Sequence, residues 1–208
     1  MCKRKYELTD ETMNLSNGTV LHRIRATRTF TTCIEIVRKG ELGGWVESED
    51  NLSQFDSAWV FGEAMVYGGS RVYDSAQILG SACVFGSACV CGEALIIESA
   101  RVCGSACVYG NAVVSGNARV FGSACVGGKV RIYDSAKISG YAQVGCSARV
   151  YDKAVVCGDA YVSGEARIGG DARVRDARDY AVYKNIWSSG KWFTYTRSNG
   201  MWKVGCFY

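Results

Sequence analysis

The sequence predicts an all-β fold wound from one short unit, and three observations predict it. From Val60 to Val174 every sixth residue is Val or Ile, at twenty positions without exception. The residue two places before each is Ala at eighteen of them, the exceptions being Ser70 and Val130. The residue two places after is Gly fourteen times and Asp four times, at Asp74, Asp134, Asp152 and Asp176. A period of six does not fit the 3.6-residue turn of a helix, and a plain strand would show period two without the punctuation.

Each hexad reads as a strand followed by a corner. In Ala118-Arg119-Val120-Phe121, alternation places Ala and Val on one face and Arg and Phe on the other. Gly122-Ser123 then turns, Gly supplying the positive φ of a tight corner. Asp at the same place can hold the corner by bonding nearby backbone. Small Ala beside β-branched Val suits a narrow interior. This pattern resembles the hexapeptide-repeat, left-handed parallel β-helix superfamily. The resemblance implies triangular coils of three hexads, hence six to seven coils stacked into a prism about 30 Å long at about 4.8 Å per coil.

Both ends differ from the repeat. Residues 1–42 form an N-terminal β segment, with strands expected at Lys5–Thr9 and Thr19–Thr27 joined near Asn17-Gly18. Gly43-Gly44-Trp45 leads into the helix proper, residues 43–177. That lead-in, followed by unbroken hexads, resembles uncharacterised hexapeptide proteins of intestinal bacteria and their phages. Residues 178–208 read as a three-stranded meander with turns at Ser188-Ser189-Gly190 and Ser198-Asn199-Gly200. Its aromatics include Tyr180, Trp187, Trp192, Tyr195, Trp202, Phe207 and Tyr208, and it is expected to cap the last coil and cover bare strand edges.

An eighteen-residue coil puts i and i+18 in one outward column. The first column runs Trp59, Gln77, Leu95, Val113, Arg131, Arg149, Arg167, with Phe61, Leu79, Ile97, Ser115, Tyr133, Tyr151 and Gly169 beside it. Its upper half is apolar. Trp59, Phe61, Leu79, Leu95, Ile97 and Val113 would form one patch that should not stay wet, so either the N-terminal strands or another subunit covers it. Relatives in the superfamily are commonly trimers, which implies a homo-oligomer, trimer or dimer. The lower half pairs guanidiniums with rings. Arg131, Tyr133, Arg149, Tyr151 and Arg167 have the chemistry to hold a phosphate and a base or sugar together. The plainer reading is a solvated, self-neutralising ladder in which Asp134 and Asp152 serve the corners. A third column stacks Cys89, Cys107 and Cys125. It reads mainly as a packed row of small residues, with redox sensitivity and soft-metal binding as its alternatives.

Composition narrows the function. Eleven Cys with no CxxC pair offer no zinc spacing, and they point to free thiols in a reducing cytoplasm. No membrane-spanning run or secretory leader is visible. The excess of +4 charges sits wholly in residues 175–208, too little for a strong nucleic-acid footprint. The basic aromatic tail (Lys191, Trp192, Tyr195, Arg197, Trp202, Lys203) nevertheless has the interleaving that stacks single-stranded bases. The best-known relatives are acyltransferases with a coil or loop His as general base. Here the only His is His22, before the first coil, and no hexad is interrupted by a loop. One His also cannot supply the three-His zinc site of the related γ-class carbonic anhydrases. The expectation is therefore a non-catalytic binding or scaffold protein without cofactor, metal or catalytic residues. Its expected action is to sequester a small anionic ligand, such as a nucleotide immune signal, or to block a host defence protein. The alternatives are a divergent acyltransferase and a purely structural solenoid.

Overall fold

In the computed structural model, residues 4–184, 192–198 and 201–205 are described, and the repeat forms a β-solenoid of about seven stacked parallel coils with three faces. Each hexad contributes a two-residue strand such as Arg119–Val120, followed by a turn. Every eighteenth residue pairs in parallel register, as in Val114↔Ile132↔Val150. The columns expected from the sequence are thus the rungs of three sheets.

The alternation decides what is inside. The Val/Ile positions and the Ala before them are fully or almost fully buried along the whole stack. A buried Val or Ile contributes about 1.5–3 kcal/mol of transfer free energy. Ala at the neighbouring inward position keeps the triangle narrow enough for facing side chains to touch. Backbone hydrogen bonds run from coil to coil, for example Phe121 N to Ile138 O at 2.9 Å and Cys103 N to Val120 O at 2.9 Å.

Corners take the left-handed conformation. Gly104 has φ 70°, and a Cβ there would stand 2.8 Å from the carbonyl oxygen of Gly122 one coil on. Five non-glycine corners share this conformation: Asp74, Glu98, Asp134, Cys146 and Asp152. The four acids offset its cost in one way, by accepting the corner N–H one coil further on. Asp74 takes Gly92 N at 3.1 Å, Glu98 takes Gly116 N at 2.6 Å, Asp134 takes Asp152 N at 3.2 Å and Asp152 takes Gly170 N at 2.9 Å. Each of these four acids thus bonds backbone on the next coil, whereas Asp176, the last corner Asp, accepts from Arg178 N on its own turn at 2.7 Å.

The first end is closed by residues 4–58. Strands Tyr6–Asn14 and Val20–Ala26 pair antiparallel, and the second pairs with Leu42–Val46, whose Trp45 and Val46 stack on Met65 and Val66 as the first rung. They extend one sheet, and of the apolar patch Trp59 is covered by Tyr6 of the first strand and by the small Phe30–Thr31/Ile36–Val37 hairpin. The Phe30 and Tyr6 rings meet it edge-on at 5.2 and 6.1 Å, and it is fully buried. A subunit contact through Trp59 is thereby excluded, because the chain's own hairpin already fills that space. Lys5 is buried at this end, donating to Ala58 O at 2.7 Å and Asp56 O at 3.1 Å. Burial, opposed by Asp56, lowers its pKa to about 8. Asn51 donates to the carbonyls of Gly68 and Ser70, both at 2.9 Å, satisfying rung edges that no earlier coil can reach.

At the other end, strands Tyr180–Lys184, Trp192–Ser198 and Met201–Gly205 form the antiparallel meander. Side chains from it meet the last rungs: Thr194 Oγ1 accepts from Arg167 N at 2.8 Å, and Tyr180 donates to Tyr161 O at 2.7 Å. Trp187, Lys191, Phe207 and Tyr208 lie outside the described residues.

The Gly43-Gly44 pair is explained by this packing. A Cβ on Gly44 would stand 2.6 Å from both Ala64 O and Val60 Cγ1. Gly44→Ala is therefore expected to destabilise the chain by about 1–3 kcal/mol, as overpacking does. Chemical denaturation of the two proteins checks this, and an unchanged midpoint would contradict the close approach.

Candidate functional site: the arginine and tyrosine cleft

On the first column, side chains change abruptly from small to large between one rung and the next. Val113 and Ser115 are followed in register by Arg131 and Tyr133, and Arg131 by Arg149. The step leaves an open cleft of about 520 Å³ lined by Glu98, Val113, Ser115, Gly116, Arg131, Tyr133, Asp134 and Arg149. Concavity is scarce on a flat prism, and this depression comes from side-chain size alone.

Of the five residues expected to bind ligand, the structure brings Arg131, Tyr133 and Arg149 together in the cleft. Tyr151 stands behind them. Its ring is parallel to that of Tyr133, with centroids 5.3 Å apart and planes 7° from parallel. It also lies over Gly169, where a Cβ would come within 2.3 Å of the ring. Arg167 continues the register but borders the C-terminal meander and is not part of the cleft wall. Burial raises the phenol pKa of Tyr133 and of Tyr151, so both carry a neutral hydroxyl at neutral pH.

Arg131 and Arg149 face each other across adjacent rungs, and neither forms an ion pair among the described residues. Like charges held in register repel. The nearest acids of the cleft, Glu98 and Asp134, are each committed through one oxygen to a corner N–H. The ladder is therefore not neutralised within itself by direct pairs. Its two guanidiniums keep their donors available, while Glu98 and Asp134 offer acceptors on the opposite wall.

Glu98, Ser115 and Gly116 were not among the site residues read from the sequence. Glu98 carries a visible signal, as the one Glu at a corner otherwise held by Gly, Asp or a single Cys. Ser115 and Gly116 carry none, because they matter by being small. Val113, expected within an interface strip, also lines the cleft. Leu79, Leu95, Ile97 and Phe61 are half-buried, with Phe61 packed against the core. His22 sits in the N-terminal sheet with Nδ1 3.3 Å from Thr9 O, in register with Val46 on the first rung, and is not a cleft residue. No helix among the described residues is long and apolar enough to cross a membrane.

This geometry defines a β-solenoid repeat protein. In agreement, a family profile of the YdcK beta solenoid repeat matches residues 114–128, a stretch that includes Ser115 and Gly116 of the cleft. Among curated proteins, none matches the chain.

The corner acids yield a test of this account. Asp152→Ala keeps a Cβ at φ 55° but removes the bond to Gly170 N. It is expected to lose about 1–2 kcal/mol, whereas Asp152→Gly, which relieves the left-handed strain, should lose less. An unchanged thermal-unfolding midpoint in Asp152→Ala would show that the carboxylate bond contributes nothing, and equal losses in the two variants would show that the left-handed strain does not matter.

Proposed function

We propose that the protein is a non-catalytic binding or scaffold protein whose rigid solenoid holds a small anionic, nucleotide-like ligand in the Arg131–Tyr133–Arg149 cleft. One observation carries this reading: two in-register guanidiniums, without ion-pair partners among the described residues, stand beside a parallel tyrosine stack in a cleft. Guanidiniums donate to phosphate oxygens in bidentate fashion. An exposed Tyr133 edge offers a surface for a ring or sugar. The Glu98 and Asp134 oxygens suit amino or hydroxyl donors of the same ligand. Bringing a phosphate between the arginines would relieve their mutual repulsion, so affinity and stability should rise together. In its most specific form, drawn from the resemblance to phage-borne hexapeptide proteins, the protein sequesters a nucleotide immune signal or blocks a host defence protein.

The purely structural reading is favoured by one feature, the corner ladder, which uses most acids near the cleft for architecture alone. A thermal-shift panel of nucleotides, cyclic nucleotides and acyl-coenzyme A separates the two. A ligand at about one hundred times its Kd should raise the parent midpoint by about 5–10 °C. The shift should vanish in Arg131→Ala and Arg149→Ala and persist in His22→Ala. No shift with any compound removes the small-ligand reading. A shift lost only in His22→Ala, with acyl transfer, would favour the acyltransferase alternative.

The same proposal includes a homo-oligomer, dimer or trimer, formed through the half-buried Leu79, Leu95 and Ile97 strip. Sedimentation should then give an assembly that Leu95→Glu dissociates, and a monomeric parent would rule out this contact.

A further inference from the structure

A second constellation lies on a face the cleft does not use. Cys89, Cys107 and Cys125 occupy three successive rungs in parallel register, below Arg71 and above Gln143. The nine described cysteines, these included, are free thiols. Cys89 pairs in register with Cys107 and Cys107 with Cys125, so each thiol has a thiol neighbour one rung away, and Cys91 lies two residues from Cys89. Two tyrosines bracket the row. Tyr73 Oη is 3.2 Å from Cys89 Sγ. The Tyr109 ring lies over Gly127, where a Cβ would come within 2.2 Å of it. Gly127 thus makes room for that ring.

We propose that this row is a site for a soft monovalent cation of the copper(I) and silver(I) class, held by two thiolates on adjacent rungs, with Cys107 as the shared ligand. Binding is a displacement: two thiols and one cation give the bis-thiolate complex and release two protons, with no change of oxidation state.

Rung spacing favours this over a disulfide. In-register Cβ atoms are held about one strand spacing apart, about 4.8 Å, while a disulfide wants about 3.5–4.5 Å. Two sulfurs on one cation stand apart by up to twice a metal–sulfur bond of about 2.3 Å, hence about 4.6 Å. Among the described residues no three His, Cys, Asp or Glu side chains converge as a three-ligand metal site. That disfavours the closed tetrahedron zinc requires and leaves the low coordination number that soft d10 cations accept. The groups around the row agree. Arg71 and Gln143 bound it in register, and the Tyr73 hydroxyl beside Cys89 Sγ can donate to a thiolate and orient it, as outer-shell partners do.

The test is competition for copper(I) against bicinchoninate without oxygen, in a Cys91→Ser background so that only the in-register row is scored. The parent should withdraw about one equivalent. Cys89→Ser leaves the Cys107/Cys125 pair and Cys125→Ser leaves the Cys89/Cys107 pair, so both should still bind within about threefold. Cys107→Ser breaks both pairs and should weaken binding at least tenfold, as should the Cys89→Ser/Cys125→Ser double variant if Cys107→Ser fails to fold. Cys33→Ser and Cys146→Ser, at exposed thiols elsewhere, should change nothing. Failure of the parent to withdraw copper overturns the proposal. So does equal loss in the three single variants, which would mean that binding only counts thiols.

Discussion

Coil-to-coil stacking governs everything else in this molecule. Each strand is two residues long, far too short to hold itself, and its hydrogen bonds go to the coils before and after it. Stacking is possible only if the interior is the same width at every level. That single requirement sets Val or Ile beside Ala at nearly every inward position, the departures being Val130 and Ser70, whose buried hydroxyl donates to Tyr67 O at 2.8 Å. It also sets the corners, where a left-handed residue must turn the chain within two positions and pass close to the corner above. Glycine meets both demands, and an acid meets them by bonding the next coil.

The ends follow from the same constraint. A stack has a first and a last rung whose edges would otherwise template another chain. Lys5, Tyr6 and Asn51 satisfy carbonyls at one end, and Thr194 and Tyr180 bond the rungs at the other. These are long-range bonds between segments of unrelated composition. The hairpin that covers Trp59 belongs to the same solution, since it closes the first coil and removes the largest apolar residue from water.

Function is left to the outward side chains, which the interior does not constrain. Register multiplies their effect, because any outward residue type repeated at eighteen becomes a ladder. One ladder changes from apolar to Arg/Tyr and makes the cleft. Another concentrates thiols beside two tyrosines. Neither needs an inserted loop or a bent strand, and each depends on the size of its neighbours as much as on its own chemistry.

The repeat, the burial of its Val and Ala positions, the register of all three columns and the juxtaposition of Arg131 with Arg149 were determined by the sequence alone, because a fixed period turns sequence distance into spatial distance. Three things were decided only by the tertiary structure. Trp59 is sealed by the chain's own hairpin, a contact between segments outside the repeat. Arg167 falls outside the cleft, while Glu98, Ser115 and Gly116 belong to it, because a cavity is set by the shapes around it and small residues leave no mark in a pattern. The four left-handed corner acids bond across coils, because the group each one meets lies eighteen residues away along the chain and one rung away in space.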